Sequence, residues 1–267
     1  MICRLLFSLI PKILLFFVFS KIIFFFHHLL FFLKETLLFF GLVSVLMGIF
    51  FALSQTRVKR FVLYSSIAQT GFVIIALGIS NHDSFFSMYF FLLIYLITSF
   101  LIWGHSVAFY AFQSKIANFD LKLSKVLIIT NLRNFFRLNS LWSFSLIVTL
   151  FSTAGIPPLT DFLAKVMILS ELVYSGYLIS SLILVLISSI SVFYYIRILK
   201  IMIFEPKNNN KRKQHFQVIF FDYCFDTLYN LFTLCLLFLV FIFFYPTDFF
   251  IFCQYVALVS TSSVISF

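Results

Sequence analysis

The chain has 267 residues, of which 63% are hydrophobic and only 10% are charged, and its mean hydropathy is +1.11. Charged residues usually supply about a quarter of a soluble domain, so this composition excludes a soluble protein. The formal net charge is +10, and the chain contains 43 Phe but only 7 Gly and 5 Pro. That imbalance is typical of a gene rich in AT codons, such as one in an organelle genome, because Gly and Pro need GC-rich codons.

Apolar runs follow one another along the whole chain and predict an all-α, polytopic membrane protein that forms one membrane domain, residues 1–267. The runs are about 17–28 residues long, as bilayer-crossing helices are, and lack the period-two alternation of a barrel. Seven spans are predicted, at about residues 3–22, 37–54, 61–80, 86–112, 141–173, 177–203 and 228–246. Residues 23–36 are interpreted as an interfacial connection, into which the first helix could continue, and 114–138 as an amphipathic surface helix.

Lysine and arginine residues fall mainly on one side of the predicted spans. Thirteen lie on one side, and only Lys21 and Lys34 lie on the other. The thirteen are Arg4, Arg57, Lys59, Arg60, Lys115, Lys122, Lys125, Arg133, Arg137, Lys207, Lys211, Arg212 and Lys213. This is a positive-inside signal. It supports seven spans, because one miscounted span would place every later loop on the opposite side of the membrane and remove the asymmetry. Basic runs such as KNNNKRK therefore indicate loops facing anionic lipid rather than nucleic-acid sites.

The sequence carries none of the motifs of a soluble active site. Its four cysteines show no paired spacing, so neither a disulfide framework nor a metal site is indicated. A phosphate loop, a dinucleotide fingerprint and a haem-ligand pair are also absent, so any redox chemistry is expected in partner proteins. The first residues lack the cleavage site of a signal peptide, and the first span is expected to be retained.

Lys165 is the strongest candidate for a functional charge inside a span. It follows the sequence AGIPPL, in a span too long for one straight crossing. Pro157 and Pro158 remove two backbone donors, and with Gly155 they predict a helix break, which is tolerated at membrane depth only beside a polar cavity. Desolvation favours the neutral amine, so Lys165 could load and release a proton. The alternative is a snorkelling lysine, but its distance from both span ends argues against this.

Asp161 lies four residues before Lys165, on the same face of the helix. The two could form an internal salt bridge that keeps the lysine charged, or Asp161 could be an additional proton site. The sequence leaves both interpretations open.

Four other residues are candidates for the same pathway. Lys12 lies among apolar residues of the first span and could act there or snorkel to the nearby chain start. His105, in the fourth span, could relay protons, although a single histidine near a span end is more often packed or hydrogen-bonded. Ser66 and Gln69, with Ser65, could hold water in the third span or bond neighbouring helices.

Three sequence blocks together resemble one family. TRVKRFVLYSSIAQTGFVIIALG (56–78) is similar to its KR-x-x-AYSSI-x-x-x-G signature, FSTAGIPPLTDFLAKVMIL (151–169) to its AGIPP-x-x-GF-x-K block, and SVFYYIRILKIMIF (191–204) to its YYY-x-R-x-x-K-x-MYF stretch. The family comprises the antiporter-like, proton-translocating membrane subunits of respiratory NADH:ubiquinone oxidoreductase (complex I), and the Tyr-Ser-Ser-Ile and Tyr-Tyr-x-Arg sequences point to subunit 2. LLFSLIPKILLFFVF (5–19) resembles its eighth-helix FFSI-x-PK block, so the resemblance covers helices eight to fourteen.

The resemblance implies roles for both lysines. Lys12 matches the eighth-helix lysine of the family's central polar axis, and Lys165 matches the lysine of the broken twelfth helix, the terminal proton site of the second half-channel. Asp161 departs from the family, which usually has Gly there, and this puts its proton affinity in doubt. The family's topology puts the C-terminus in the intermembrane space, so the basic loops are expected in the mitochondrial matrix.

The first half of the family pattern, which carries a buried glutamate and another lysine, has no counterpart in the chain. The resemblance therefore implies a subunit of H⁺-translocating NADH:ubiquinone reductase in the mitochondrial inner membrane, paired with a separate chain that supplies the missing seven helices. It has no redox chemistry of its own: FMN, iron–sulfur clusters and ubiquinone are expected in partner subunits, and lipids such as cardiolipin around it. The alternatives are a non-conducting structural spacer of the same complex and a cation/proton antiporter subunit.

Overall fold

A computed structural model describes residues 2–25, 31–116, 129–132, 140–157, 159–204 and 232–265, and in these ranges it contains helices and no strand. The helices are α1 (Ile2–Phe25), α2 (Phe31–Ser54), α3 (Val58–Ile79), α4 (His82–Ile116), α5 (Ser140–Ala154), α6 (Thr160–Tyr174), α7 (Leu178–Ile203), α8 (Phe232–Phe244) and α9 (Pro246–Ile265). Ile129–Leu132 forms a 3-10 turn. The predicted all-α class is confirmed.

Several of these helices can cross a membrane. The segments Leu33–Ser54, Val58–Ile79, His82–Val107 and Leu178–Ile203 are each long and apolar enough, and α8 with α9 adds a fifth if the bent pair counts as one span. The chain is thus a polytopic membrane protein. In the described residues α1 and α5 present shorter apolar segments, Leu14–Ile23 and Trp142–Ala154, so the count of seven spans stays a prediction.

The predicted connection at residues 23–36 is too long. α1 continues to Phe25, and α2 begins at Phe31 rather than near residue 37, so Lys34 and Glu35 lie inside the first turns of α2. Charged residues lower the local hydropathy, but they do not interrupt backbone hydrogen bonding, and a lysine can extend its amine toward the interface. The helix therefore extends beyond the apolar run that predicts it.

The predicted end of the last span, near residue 246, is close to the end of α8 at Phe244, but the helix that follows it was not predicted. Pro246 begins α9, a 20-residue helix that meets α8 at an angle of 91°. Proline favours the first position of a helix, because a backbone N–H at that position would have no acceptor within the helix. Pro246 therefore separates two helices here. α9 packs against α4 and α1. The predicted surface helix at 114–138 lies mostly outside the described residues, apart from the end of α4 and the 3-10 turn.

α2 and α3 form a tightly packed pair. Four of the chain's seven glycines lie in this contact: Gly41 and Gly48 on α2, and Gly71 and Gly78 on α3. A Cβ built at Gly48 would lie 2.6 Å from the backbone nitrogen of Ala68. Such close approach requires glycine, and it fixes α3 against α2. Ser66 and Gln69 lie on the other face of α3 by helical periodicity, toward the rest of the bundle.

Side chains and backbone groups also tie the end of α2 to its neighbours. Arg197 Nη1, on α7, donates a hydrogen bond to Leu53 O at 3.2 Å. This carbonyl belongs to the last turn of α2, where no helical donor remains. The backbone N–H of Ile129 donates to Thr56 O at 2.9 Å, so the 3-10 turn is anchored on the α2–α3 connection.

Candidate functional site

The site is centred on the turn that ends α5. Gly155 adopts a φ of +77°, and its N–H donates to Ser152 O at 2.8 Å, while the N–H of Ile156 donates to Phe151 O at 3.3 Å. These two bonds form a Schellman motif, whose left-handed residue is favourably glycine. The predicted helix break is confirmed, although Pro158 itself lies outside the described residues.

The break leaves the carbonyl oxygen of Thr153 without a helical donor. In an α-helix this oxygen would accept from the N–H four residues later, but that residue is Pro157, which has no N–H. Two side chains donate to it instead: Lys165 Nζ at 2.9 Å and Gln69 Nε2 at 3.4 Å. The sequence thus creates a free carbonyl and supplies its donors from α6 and α3.

Lys165 is enclosed by protein, with 7% of its surface exposed. Its amine lies 5.9 Å from the centroid of the Phe72 ring, within cation–π range. It also lies at the carboxyl end of α5, where the helix dipole favours a cation. Because its acceptor, Thr153 O, is a neutral carbonyl, loss of the proton leaves no unpaired charge at that contact.

Asp161 lies in the first turn of α6 and is 4% exposed. Among the described residues its Oδ1 has no hydrogen-bond partner, and the same holds for the buried hydroxyls of Ser152 and Thr160. Buried polar atoms of this kind usually bind water or an ion. The amine of Lys165 bonds to Thr153 O rather than to this carboxylate. Asp161 and Lys165 lie on one helix, and both roles of Asp161, as salt-bridge partner and as proton site, stay predictions.

Lys12 has a different environment. Its Nζ donates to Ser66 Oγ at 3.3 Å and to Tyr95 Oη at 3.2 Å, so the amine points toward α3 and α4 rather than toward the membrane surface. The side chain is only partly buried. Its helix exposes large apolar side chains, such as Leu14 at 60% and Leu15 at 68%. α1 therefore packs on one side and is open on the other.

A polar cavity of about 20 Å³ lies between the two lysine sites. This is room for about one water molecule. Its polar lining residues are Ser65, Ser66, Gln69, Tyr95, Ser99, Thr98, Thr153 and Tyr195. Ser66 and Tyr95 bond to Lys12, and Gln69 and the Thr153 carbonyl connect to Lys165. The structure thus brings four predicted residues, Lys12, Ser66, Gln69 and Lys165, into one polar cluster.

His105 lies outside this cluster. Its Nδ1 is 2.6 Å from Leu101 O, and its Nε2 is 2.5 Å from Ser145 Oγ, so both ring nitrogens are engaged. An apolar cavity of about 40 Å³ lies beside the ring and shares two lining residues, Val62 and Ile102, with the polar cavity. His105 is therefore separated from the lysines by apolar groups, and its part in a proton pathway stays a prediction.

Five polar residues that line the cavity are absent from the sequence-based candidates: Thr153, Tyr95, Tyr195, Thr98 and Ser99. Thr153 could have been found, because it lies four residues before a proline and so must lose its helical donor. Tyr95 is 83 positions from Lys12, and Tyr195, 1% exposed, comes from α7. Only the packing of distant helices reveals these two. Among the described residues no group of three His, Cys, Asp or Glu side chains could hold a metal ion.

These features define a polytopic membrane protein with a discontinuous helix, whose break holds a buried lysine next to a polar cluster. The chain belongs to the NADH:quinone oxidoreductase/Mrp antiporter transmembrane family, whose model matches residues 2–194. It is 37% identical over 171 residues to NADH-ubiquinone oxidoreductase chain 2 of Rhizopus oryzae, a match covering 64% of this chain and 32% of that protein.

Solved structures share the fold. Respiratory complex I from Thermus thermophilus with bound aureothin contains a chain that matches with a TM-score of 0.58 and 22% identity, over 80% of this chain and 44% of that one. The Mrp complex from Dietzia sp. DQ12-45-1b gives a TM-score of 0.67 and 13% identity, over 84% of this chain and 47% of that one. The chain spans about a third of the length of the curated relatives it matches.

Proposed function

We propose that the chain provides the second half-channel of a membrane-arm subunit in a proton-pumping NADH:ubiquinone oxidoreductase. The observation that carries this proposal is the polar cluster between the lysines: Lys12 bonds to Ser66 and Tyr95, and Lys165 and Gln69 bond to the Thr153 carbonyl. Ser66, Tyr95, Gln69 and Thr153 line one cavity. Ionisable groups inside a membrane protein mark ion and proton pathways more often than they serve packing. Here two of them bond to residues that line the same cavity.

In this mechanism Lys12 passes a proton into the cluster, and Lys165 holds it before release. A water molecule in the cavity between Tyr95 and Gln69 would complete the connection, because hydroxyl groups and water can both donate and accept. Lys165 is the storage site because its amine is enclosed and bonded to a neutral carbonyl. Asp161, on the same helix, would balance the charge of the loaded amine. His105 would take part only when water enters the apolar cavity beside it.

The proposed complex needs further chains. The chain covers about a third of its curated relatives, and α1 leaves its outer face uncovered next to the partly buried Lys12. A separate membrane chain that supplies the remaining helices would cover this face. FMN, iron–sulfur clusters and ubiquinone would belong to partner subunits, and lipids such as cardiolipin would surround the helices.

The proposed location is the mitochondrial inner membrane, with the basic loops in the matrix and the C-terminus in the intermembrane space. The relative named chain 2 and the asymmetry of Lys and Arg residues along the sequence support this arrangement. The intermembrane-space end of α6 is then the release side for a proton held on Lys165.

The test is Lys165→Met in the assembled complex. Methionine fills nearly the same volume without a titratable group, so we expect assembly and NADH oxidation to persist while proton pumping is lost. Lys200→Met, on the exposed surface of α7, is the matched control and should pump normally. NADH oxidation and vesicle acidification are measured on the same preparations.

Two outcomes would replace the proposal. Unchanged pumping in Lys165→Met would leave the chain as a structural spacer of the complex. Purification without any flavin or iron–sulfur protein, combined with sodium/proton exchange in vesicles, would identify an antiporter subunit, the alternative that the structural match to the Mrp complex favours.

A further inference from the structure

Gly155 has a role in the turn that ends α5, and the backbone conformation of this turn by itself favours glycine. Its φ of +77° lies in the left-handed region, and its N–H closes the turn on Ser152 O. A side chain at this position would disfavour that conformation. On this basis the residue terminates a helix and has no part in the chemistry.

The surroundings of Gly155 indicate a second role. A Cβ built on Gly155 would lie 2.9 Å from Lys165 Nζ, 3.1 Å from Lys165 Cδ and 3.5 Å from Lys165 Cε. The nearest atoms therefore all belong to this one side chain, which lies directly over the glycine Cα. Contacts under about 3 Å are not tolerated between such atoms, so a methyl group here would displace the lysine.

The displacement would affect the amine rather than the fold. Lysine is a long flexible side chain, whereas its acceptor, Thr153 O, is fixed backbone two residues before Gly155. Ordinary contact with a methyl group begins at about 3.4 Å, so the amine must move by roughly half an ångström. A shift of that size away from Thr153 O would lengthen the 2.9 Å hydrogen bond to about the limit of hydrogen bonding. The ring of Phe72, whose centroid lies 5.9 Å from the amine, restricts the positions that the amine can take.

We propose that Gly155 is a positioning residue for Lys165: the missing side chain leaves the space through which the amine reaches the Thr153 carbonyl. The effect on pumping rests on the function proposed above, but the placement of the amine does not. Helix termination and lysine placement thus depend on the same residue.

The chain contains a matched control for the backbone role. Gly176 has a φ of +86° at the end of α6, its N–H donates to Val173 O at 3.1 Å, and the N–H of Tyr177 donates to Leu172 O at 2.9 Å. This is the same Schellman motif, but no atom lies within 4 Å of a Cβ built there. Gly176→Ala therefore carries the backbone effect without the contact.

The experiment compares Gly155→Ala with Gly176→Ala in the assembled complex. Proton pumping is measured as a function of pH, and the position of the Lys165 amine is determined by electron cryo-microscopy. We expect both variants to assemble. Gly155→Ala should lengthen the distance between the amine and Thr153 O by about half an ångström and reduce pumping about tenfold at neutral pH, with partial recovery at lower pH. Gly176→Ala should leave both unchanged.

Gly155→Asn is the second variant, because asparagine tolerates the left-handed conformation better than alanine does but still carries a Cβ. It should reproduce the displacement. Equal pumping in the Gly155 and Gly176 variants, or an amine at its original distance from Thr153 O, would overturn the inference. So would failure of both Gly155 variants to assemble, since the glycine would then be needed for folding. If Lys165→Met pumps normally, the proposed function fails, while a displaced amine in Gly155→Ala still supports the placement.

Discussion

The two lysine sites differ in how the chain builds them. Lys165 is enclosed, its amine bonds to a backbone carbonyl freed by Pro157, and a carboxylate lies on the same helix. Lys12 is half-buried, and its described hydrogen bonds go to the hydroxyl groups of Ser66 and Tyr95. Backbone geometry fixes the first site, whereas contacts between side chains of separate helices define the second.

The difference concerns how far each site depends on the packing of separate helices. A backbone acceptor at a helix break keeps its position as long as the helix ends are intact, and the hydrogen bond of the Lys165 amine goes to such an acceptor. The Lys12 site depends on how closely α1 approaches α3 and α4, and the uncovered face of α1 leaves that distance sensitive to a neighbouring chain. Lys12 is therefore expected to connect this chain to its partner, and Lys165 to store the proton.

Among substitutions that keep both lysines, the largest effect is expected from Asp161→Asn, which makes the surroundings of Lys165 as neutral as those of Lys12. A carboxylate about one helical turn away contributes on the order of 2 kcal/mol to a buried ammonium at an effective dielectric constant of about 20. Its loss should lower pumping roughly thirtyfold at neutral pH. Asp83→Asn, an exposed carboxylate in the first turn of α4, is the control and should have no effect.

The pH dependence of the Asp161→Asn variant separates the two roles of this residue. If the carboxylate only stabilises the charged amine, a higher proton concentration replaces it and pumping recovers as the pH falls. This is the result we expect. Loss of pumping at every pH would show that Asp161 itself carries the proton, because asparagine cannot.

A smaller effect is expected from Gln69→Leu, which removes the side chain between the two sites. Leucine fills the space but leaves Thr153 O with one donor in place of two. A hydrogen bond of this kind contributes about 1.5 kcal/mol, so pumping should fall roughly tenfold while NADH oxidation continues. Thr70→Val, whose hydroxyl bonds only within α3, is the matched control. Equal rates in both variants would show that the sites are not connected through Gln69.

The smallest effect is expected from Tyr95→Phe, which removes one of the two hydroxyl acceptors of Lys12. A neutral acceptor contributes about 1 kcal/mol, so pumping should fall roughly fivefold. Tyr89→Phe is the control, because its hydroxyl also joins α4 to α1, through Ser20 at 2.7 Å, but does not contact Lys12. A larger loss from Tyr89→Phe would mean that helix packing, rather than the lysine contact, limits the rate. Initial rates of vesicle acidification distinguish these cases.

Sequence reasoning predicted the parts of the molecule that local chemistry determines. The prolines at 157 and 158 predict the break, and helical spacing places Asp161 on the face of Lys165. Tyr95 and Tyr195 could not be predicted, since their contacts join residues far apart in the sequence. The start of α9 was missed because Pro246 both ends an apolar run and favours the first turn of a new helix, and hydropathy registers only the first effect.

The contact of α9 with α1 has a consequence for biogenesis. α2 and α3 are neighbours in the chain, so they can pair through their glycines soon after both have left the ribosome. α1 packs instead against α4 and α9, and α9 is the last described helix to be synthesised. The first helix therefore enters the bilayer long before its final neighbour exists. Insertion machinery, lipid or a partner chain must cover the α9-facing side of α1 during that interval, so the packing of α1 is completed only after α9 has been made.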